Sequence, residues 1–341
     1  MSMRYRRLGS SGAVVSEFAL GTMTFGSETP DDDASAQLVA FVDAGGTLIE
    51  TADVYGGGAA EEIVGGWLRR QTARTRDDVF LAAKGRFPVG VAPRDSGLSA
   101  RHLRRALEGS LRRLGVDHVD LYQVHAWDPV APLEETLGFL DRAVQAGTVV
   151  YAGLSNFTGW QIAQAAAGVR ERFPLISMQP QYNLLCREVE WEIVPACLAN
   201  GLGVLPWSPL GGGWLTGKYR RDRRPVGATR LGEDPSRGVE AYDLRGSQPR
   251  TWRVLDALAA VAERHDEPMA RVALAWLAGR PGVASVIVGA RTPEQLASNL
   301  RSSAVELTVD DLRLLDEASD PEPAPWPYGA AGLEQRSRPI D

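Results

Sequence analysis

Short apolar runs alternate along the chain with longer stretches in which apolar positions recur at helical spacing. The runs predict strands at Phe18–Thr22, Thr47–Thr51, Val79–Lys84, Val119–His125, Val149–Ser155, Ile176–Gln179, Gly203–Trp207 and Ala284–Val288. The stretches between them predict helices near Ala34–Asp43, Ala60–Gln71, Ala100–Leu114, Leu133–Ala146, Trp160–Arg172, Glu190–Asn200, Arg250–Ala278 and Pro293–Arg301. Thr292 followed by Pro293 is start chemistry: a capping hydroxyl, then a proline where no backbone donor is needed. Asp31 to Asp33 crowd another start with negative charge, where the helix dipole favours it. A hairpin-like opening, Arg4 to Val15, turns at Gly9-Ser10-Ser11-Gly12.

Eight strands, each followed by a helix, predict an α/β fold of the closed (β/α)8 TIM-barrel type, as one domain over residues 1–341. An open doubly wound sheet would want a Gly-x-Gly-x-x-Gly turn after its first strand. Here that strand runs into Gly21-Thr22-Met23-Thr24-Phe25-Gly26, which does not fit. The stretch from Gly211 to Ser247, rich in Gly, Arg, Pro and Asp, reads as a long loop after strand 7 and a candidate lid. The tail from about residue 320 to 341, with Pro321, Pro323, Pro325 and Pro327, reads as irregular, either lying over the barrel mouth or disordered.

Composition narrows the partners. Apolar residues make up 44% and charged residues 23%, ordinary for a soluble globular chain. The net charge of −6 speaks against nucleic acid or an anionic membrane as the partner. No apolar run approaches the roughly 20 residues that cross a bilayer, and the basic N-terminus lacks the apolar segment of a signal peptide. The expected setting is the cytoplasm, with Cys186 and Cys197 as reduced thiols. No metal site is expected, and the oligomeric state is not legible.

The chemistry gathers at strand ends. Glu50-Thr51-Ala52-Asp53-Val54-Tyr55 closes the second barrel strand, Lys84 ends the third and His125 the fourth. In such barrels the loops after the strands build the site, so these distant residues become neighbours. A phenol with a pKa of about 10 is a poor acid at neutral pH unless its anion is stabilised. A nearby ammonium does that, and a carboxylate keeps the ammonium charged. Tyr55 is therefore expected as general acid, Lys84 as its partner, Glu50 as counter-ion of Lys84, and His125 as the group orienting the substrate oxygen. Asp53 is expected to cap or salt-bridge locally.

These segments resemble the aldo-keto reductase superfamily, in its bacterial longer-chain branch, over nearly the whole chain. Ala52-Asp53-Val54-Tyr55-Gly56, Ala82-Ala83-Lys84-Gly85 and Asp120-Leu121-Tyr122-Gln123-Val124-His125 match its three signatures. The resemblance implies a (β/α)8 barrel that reduces carbonyls with NADPH through an Asp, Tyr, Lys and His tetrad. This chain departs once: the aspartate's position, five before the tyrosine, holds Glu50, which predicts retuned activity. The resemblance further implies that Ser155, Asn156 and Gln179 hold the nicotinamide carboxamide and that Trp207 stacks on its ring. Ser208, Pro209, Leu210 and Gly212 would face the pyrophosphate, Lys218 would add a phosphate contact, and Gly21, Thr22 and Met23 are further cofactor-binding candidates. Gly289, Arg291 and Thr292 lead into a helix N-terminus that suits a ribose 2′-phosphate, which points to NADPH. Gln295 and Asn299, four apart, resemble the family's adenine contacts. Substrate-facing candidates are Met23, Phe25, Val54, His125 and Trp127, implying an apolar or ring-bearing carbonyl or a keto-sugar. The alternative is an NADP(H)-binding regulatory or structural module with little turnover, akin to the channel-associated members of the superfamily.

Overall fold

The computed structural model describes residues 3–170, 172–227 and 229–337. Expected elements at residues 171 and 338–341 lie outside the described residues. Two antiparallel strands, β1 (Tyr5–Arg7) and β2 (Val14–Ser16), form the opening hairpin. The barrel strands are β3 (Phe18–Gly21), β4 (Leu48–Glu50), β5 (Phe80–Gly85), β6 (Val119–Val124), β7 (Val149–Ser155), β8 (Leu175–Gln179), β9 (Gly203–Val204) and β10 (Val286–Val288). All eight are parallel and run in the order β10-β3-β4-β5-β6-β7-β8-β9. A bridge from Val204 to Val283, with the Ala284 amide donating to the Val204 carbonyl at 2.9 Å, joins the two ends and closes the barrel.

Side chains in a strand alternate between faces, so one strand feeds two cores. Ala19, Leu48, Ala82, Leu121, Ile176, Leu205, Ala284 and Ile287 form an interior cluster together with Leu8, Ala13 and Val15 of the hairpin. The hairpin thus plugs one end of the barrel. Glu17, fully buried beside it, is held by Arg4 at 2.9 Å and Arg6 at 3.2 Å. The larger core lies between the strands' outer faces and the helices.

Several elements differ from expectation for local reasons. The seventh run is only two residues of ladder, because Pro206 has no amide to donate. The expected helix over 250–278 is two, Pro249–Arg264 and Met269–Ala278, parted where Asp266 turns left-handed (φ 50°) ahead of Pro268. The stretch 190–200 holds a one-turn 3-10 segment, Glu188–Glu190, and a short helix, Ile193–Ala199. The irregular tail is corrected in part: Ala330–Arg336 is helical, and Tyr328 stacks on Trp191 with ring centroids 5.4 Å apart. The 211–247 segment is not plain loop either. It contains four short helical turns around Trp214, which stacks on Tyr242 (5.4 Å) and meets Tyr219 and Trp252 edge-on.

Candidate active site

Period-two alternation brings the reactive groups inside the barrel. Glu50, Lys84 and Gln123 each stand two residues beyond an interior residue, namely Leu48, Ala82 and Leu121, and so face the same interior one layer higher. Glu50 and Lys84 are buried at 2% and 0% exposure and form a direct ion pair through Glu50 Oε1. Lys84 Nζ also donates to the Thr51 carbonyl at 3.0 Å. The extra methylene of glutamate therefore does not cost the lysine its partner.

Tyr55 opens a 3-10 turn, Tyr55–Gly58, whose three glycines adopt φ of 58°, 65° and 105°. Only glycine takes that series without strain, and it lets the chain fold the phenol back over the strand ends. Tyr55 Oη donates to Glu50 Oε1 at 3.4 Å, and Lys84 Nζ lies 4.8 Å from the phenol ring centroid. The ammonium thus reaches the hydroxyl through the shared carboxylate. Burial, and next the Asp53 charge, push the phenol's pKa upward, contrary to the expected lowering by Lys84. Burial pulls the Lys84 ammonium far below its usual range, while the Glu50 carboxylate against it favours the charged form. His125 meets Tyr55 edge-on at 6.0 Å and Phe87 at 4.6 Å. Burial, then Lys84 and Arg86, hold its pKa well below the usual imidazole range, leaving it neutral at pH 7.

Asp53 departs from expectation. It is buried at 2% exposure, and among the described residues it makes no ion pair and neither side-chain oxygen has a hydrogen-bond partner. Burial first, then the Glu61 carboxylate, raise its pKa from 3.8 to about 7, with Arg113 acting the other way.

A second set of groups lies beside the first. Asn156 and Ser208 follow β7 and β9 in left-handed conformations (φ 54° and 52°), uncommon for non-glycine residues and frequent at ligand sites. Asn156 Nδ2 donates to the His125 carbonyl (2.9 Å) and its Oδ1 accepts from Trp207 Nε1 (3.0 Å). Ser155 Oγ donates to the Gln179 carbonyl at 3.0 Å. Gln179 Nε2 donates to Glu50 Oε1 at 3.4 Å, linking this set to the ion pair. The strand end at Gly21 has no room for a side chain: a Cβ there would stand 2.7 Å from Ile287 and 3.5 Å from Glu50 Oε2. Thr22 is buried, its hydroxyl without a partner among the described residues, and Met23 is 40% exposed.

A turn of three glycines follows β9. Gly211, Gly212 and Gly213 are all left-handed, Pro209 is buried beneath them, and Leu210 is half-buried. A Cβ on Gly213 would meet the Lys218 ammonium at 2.6 Å. The surrounding protein, then Arg291 and Arg230, pull the Lys218 pKa down, so three cations crowd one place. Such a donor set fits a pyrophosphate and a further phosphate. Arg230, absent from the expected set, contributes a buried Nε that has no partner among the described residues. Arg291 is engaged by carboxylates, at 2.6 Å to Glu28 and 2.7 Å to Glu233. Beyond it, Thr292 caps the helix Pro293–Leu300 through the Gln295 amide, Gln295 Oε1 accepts from the Arg291 amide at 3.0 Å, and Asn299 is buried. Gly289 is exposed beside them.

Of the substrate-facing expectations, Val54 and Trp127 are half-buried, and Trp127 packs on Phe157 (5.2 Å) and the exposed Trp160 (5.4 Å). Phe25 is fully buried in the outer core, so its contribution is packing. Gln123 and Ser177 were missed although the same alternation that places Glu50 and Lys84 places Gln123. Glu28, Glu233 and Arg230 were beyond reach: Arg291 and Glu28 are 263 residues apart, and no local pattern joins them.

Barrel, interior ion pair and glycine turn with its cations define a class of barrel oxidoreductase. Residues 17–320 match the model of the Aldo/keto reductase family, and the chain belongs to that family. Membership implies NAD(P)H-dependent carbonyl reduction. The chain is 36% identical over 325 residues to the "Uncharacterized oxidoreductase YrpG" of Bacillus subtilis (strain 168), covering 92% of this chain and 95% of that protein. It is 37% identical over 308 residues to a "Probable voltage-gated potassium channel subunit beta" of Oryza sativa subsp. japonica, covering 88% and 91%. It is 33% identical over 326 residues to the "L-glyceraldehyde 3-phosphate reductase" of Escherichia coli (strain K12), covering 92% of each.

Proposed function

We propose that the protein reduces an aldehyde or ketone, a keto-sugar included, to the alcohol with NADPH, using Tyr55 as proton donor. The observation that carries this reading is the meeting of Tyr55, Lys84, Glu50 and His125 beside Gln179, Asn156 and Trp207. NADPH, when bound, supplies the hydride. Ser155, Asn156 and Gln179 would hold its carboxamide, Trp207 its ring, the 208–213 turn with Lys218 its pyrophosphate, and Arg291 its 2′-phosphate. Gln295 and Asn299 would take the adenine.

The neutral His125 donates a hydrogen bond to the carbonyl oxygen and orients it. A phenol whose pKa is raised keeps its proton against a neutral carbonyl, yet still gives it to the far more basic alkoxide that forms as the carbon is reduced. The Lys84 ammonium, held charged by Glu50, would supply the positive charge beside the phenolate left behind. We place this activity in a single barrel domain in the cytoplasm, with a small-molecule carbonyl as partner.

Mixing protein, NADPH and a panel of aldehydes, then repeating with Tyr55→Phe, tests the reading. Loss of a general acid costs about 10²–10⁴-fold in rate. Equal turnover by wild type and variant would sink the assignment of the acid. A second reading, an NADP(H)-binding module with little turnover, draws on Glu50 and on the similarity to the rice protein. The same assay separates the two, since that module would bind NADPH tightly and turn over no carbonyl in the panel.

A further inference from the structure

Below the candidate cofactor seat lies a chain of buried polar side chains that the proton-delivery scheme does not use. Gln123 and Ser177 are both at 0% exposure, and Gln179 is at 2%. Gln179 Nε2 donates to Gln123 Oε1 at 3.1 Å as well as to Glu50 Oε1 at 3.4 Å. Gln123 Nε2 in turn donates to the Leu154 carbonyl and to Ser177 Oγ, each at 3.2 Å. Gly153 leaves room for this: a Cβ there would clash with Ser177 Oγ and stand 3.1 Å from Gln123 Cγ.

An amide nitrogen carries two hydrogens, and a carbonyl oxygen only accepts. With two acceptors, Glu50 and Gln123, facing Gln179 Nε2, both its hydrogens are committed. The amide cannot flip without setting its oxygen against two oxygens, which in a buried site costs the desolvation of each unpaired group. Gln179 Oε1 is thereby fixed as the atom left for a ligand, and among the described residues no protein donor reaches it. The amide of Gln123 is pinned the same way by the Leu154 carbonyl. Its oxygen must then point at Gln179, so the order propagates along the chain. Glu50 Oε1 is the common atom: it receives Gln179, Lys84 and Tyr55 together.

We infer that Gln123 is a positioning residue, which through Gln179 presents a carbonyl oxygen to the amide hydrogens of the nicotinamide carboxamide. This rests on the reading that NADPH is the cofactor and adds to it a residue that would not itself touch the cofactor. An oriented acceptor favours a carboxamide, which can donate, over a carboxylate, which cannot. The glutamate at position 50 also makes the cofactor seat and the proton-delivery pair share one oxygen.

Fluorescence titration with NADPH, on wild type, Gln123→Leu, Gln179→Ala and the double variant, tests the inference. Gln123→Leu should raise the NADPH dissociation constant about tenfold, the loss expected when one ordered hydrogen bond is removed. In the Gln179→Ala background the same change should add less than about twofold, because its route of action is gone. Thermal melts identify any variant that has unfolded; there, Gln123→Asn, which withdraws the amide by one methylene, carries the same expectation. An unchanged constant in Gln123→Leu, or an equal rise in both backgrounds, overturns the inference while leaving the reductase reading intact. Wild-type protein that does not bind NADPH overturns both.

Discussion

Asp53 shows what a residue's surroundings decide that its neighbours in sequence do not. Read along the chain it is a polar residue before a turn; in the fold it lies under that turn, against the buried Glu61 and Arg113. Arg113 is committed to Glu61, at 2.6 Å, and one guanidinium does not neutralise two buried carboxylates. The Asp53 pKa accordingly rises from 3.8 to about 7 on folding. The folded protein then holds a proton that the unfolded chain releases, so stability falls as pH rises through that window, and the loss is complete above it. Asp53→Asn removes the titration. The variant should match or trail wild type below about pH 4 and gain on it by a few kcal/mol at most above about pH 7. Thermal melts at acidic and mildly alkaline pH check this; an offset that is the same at both would exclude Asp53 as the titrating group. The tetrad was legible because each member closes an apolar run, a signal contained within a few residues. Gln123 carried the same signal, a polar side chain in register with interior positions, but it sits inside the strand Val119–Val124 rather than at its end, beside the other polar positions Asp120 and Tyr122. The clasp of Arg291 by Glu28 and Glu233 joins three distant segments, so no local pattern could show that a 2′-phosphate at Arg291 would have to compete with two carboxylates for it.

Most elements were legible where the hydrophobic period was long and cleanly bounded, but the helix Val309–Ser319, capped by Thr308, was not among those expected. All eight barrel strands and the helix Ala100–Leu114, with its Ser99 cap and Gly115 stop, follow the apolar pattern. Boundaries failed where one backbone group overrode the pattern, as at Pro206 and Pro268. What periodicity cannot reveal is how closely two elements approach, and adjacent glycines of the helix Ala59–Arg69 make the point. A Cβ on Gly66 would meet only the ends of Arg70 and Arg69, at 3.7 and 3.8 Å. A Cβ on Gly65 would collide with the Arg113 carbonyl and stand 2.6 Å from that of Leu114, backbone atoms that cannot rotate away. Helix propensity favours alanine over glycine by about 1 kcal/mol at either position. At Gly66 that gain should survive, and Gly66→Ala should be stabilising by about 0.5–1 kcal/mol. At Gly65 overpacking wins, and Gly65→Ala should be destabilising by about 1–3 kcal/mol. Denaturant unfolding of the two variants, compared at equal m-value, reads the opposite signs; two changes of the same sign would mean that the helices do not pack this closely.

The whole molecule assigns two tasks to the 211–247 segment, expected from the sequence as a long loop, a candidate lid and the source of Lys218. It brings Lys218, Arg230 and Glu233 up to Arg291, and it seats itself on the barrel through Trp214. That indole is fully buried and donates to the Glu240 carbonyl at 2.9 Å. Glu240 accepts in turn from Arg245 Nε at 3.2 Å, and Arg245 reaches the Leu185 carbonyl at 2.9 Å in the connection after β8. Position within the segment is therefore set by a packed aromatic group, next to Gly213 and packed on the Tyr219 ring that Lys218 lies over. Trp214→Ala should cost about 3–5 kcal/mol through the cavity it leaves. It should also weaken NADPH, because Lys218 and Arg230 lose their fixed places although neither is altered. A ligand that binds only the folded state raises stability in proportion to its affinity, so the rise in melting temperature on adding NADPH should shrink in Trp214→Ala relative to wild type. Should the variant melt earlier yet show an undiminished NADPH shift, the segment would be a packing element alone, and the cofactor would be held from the barrel side.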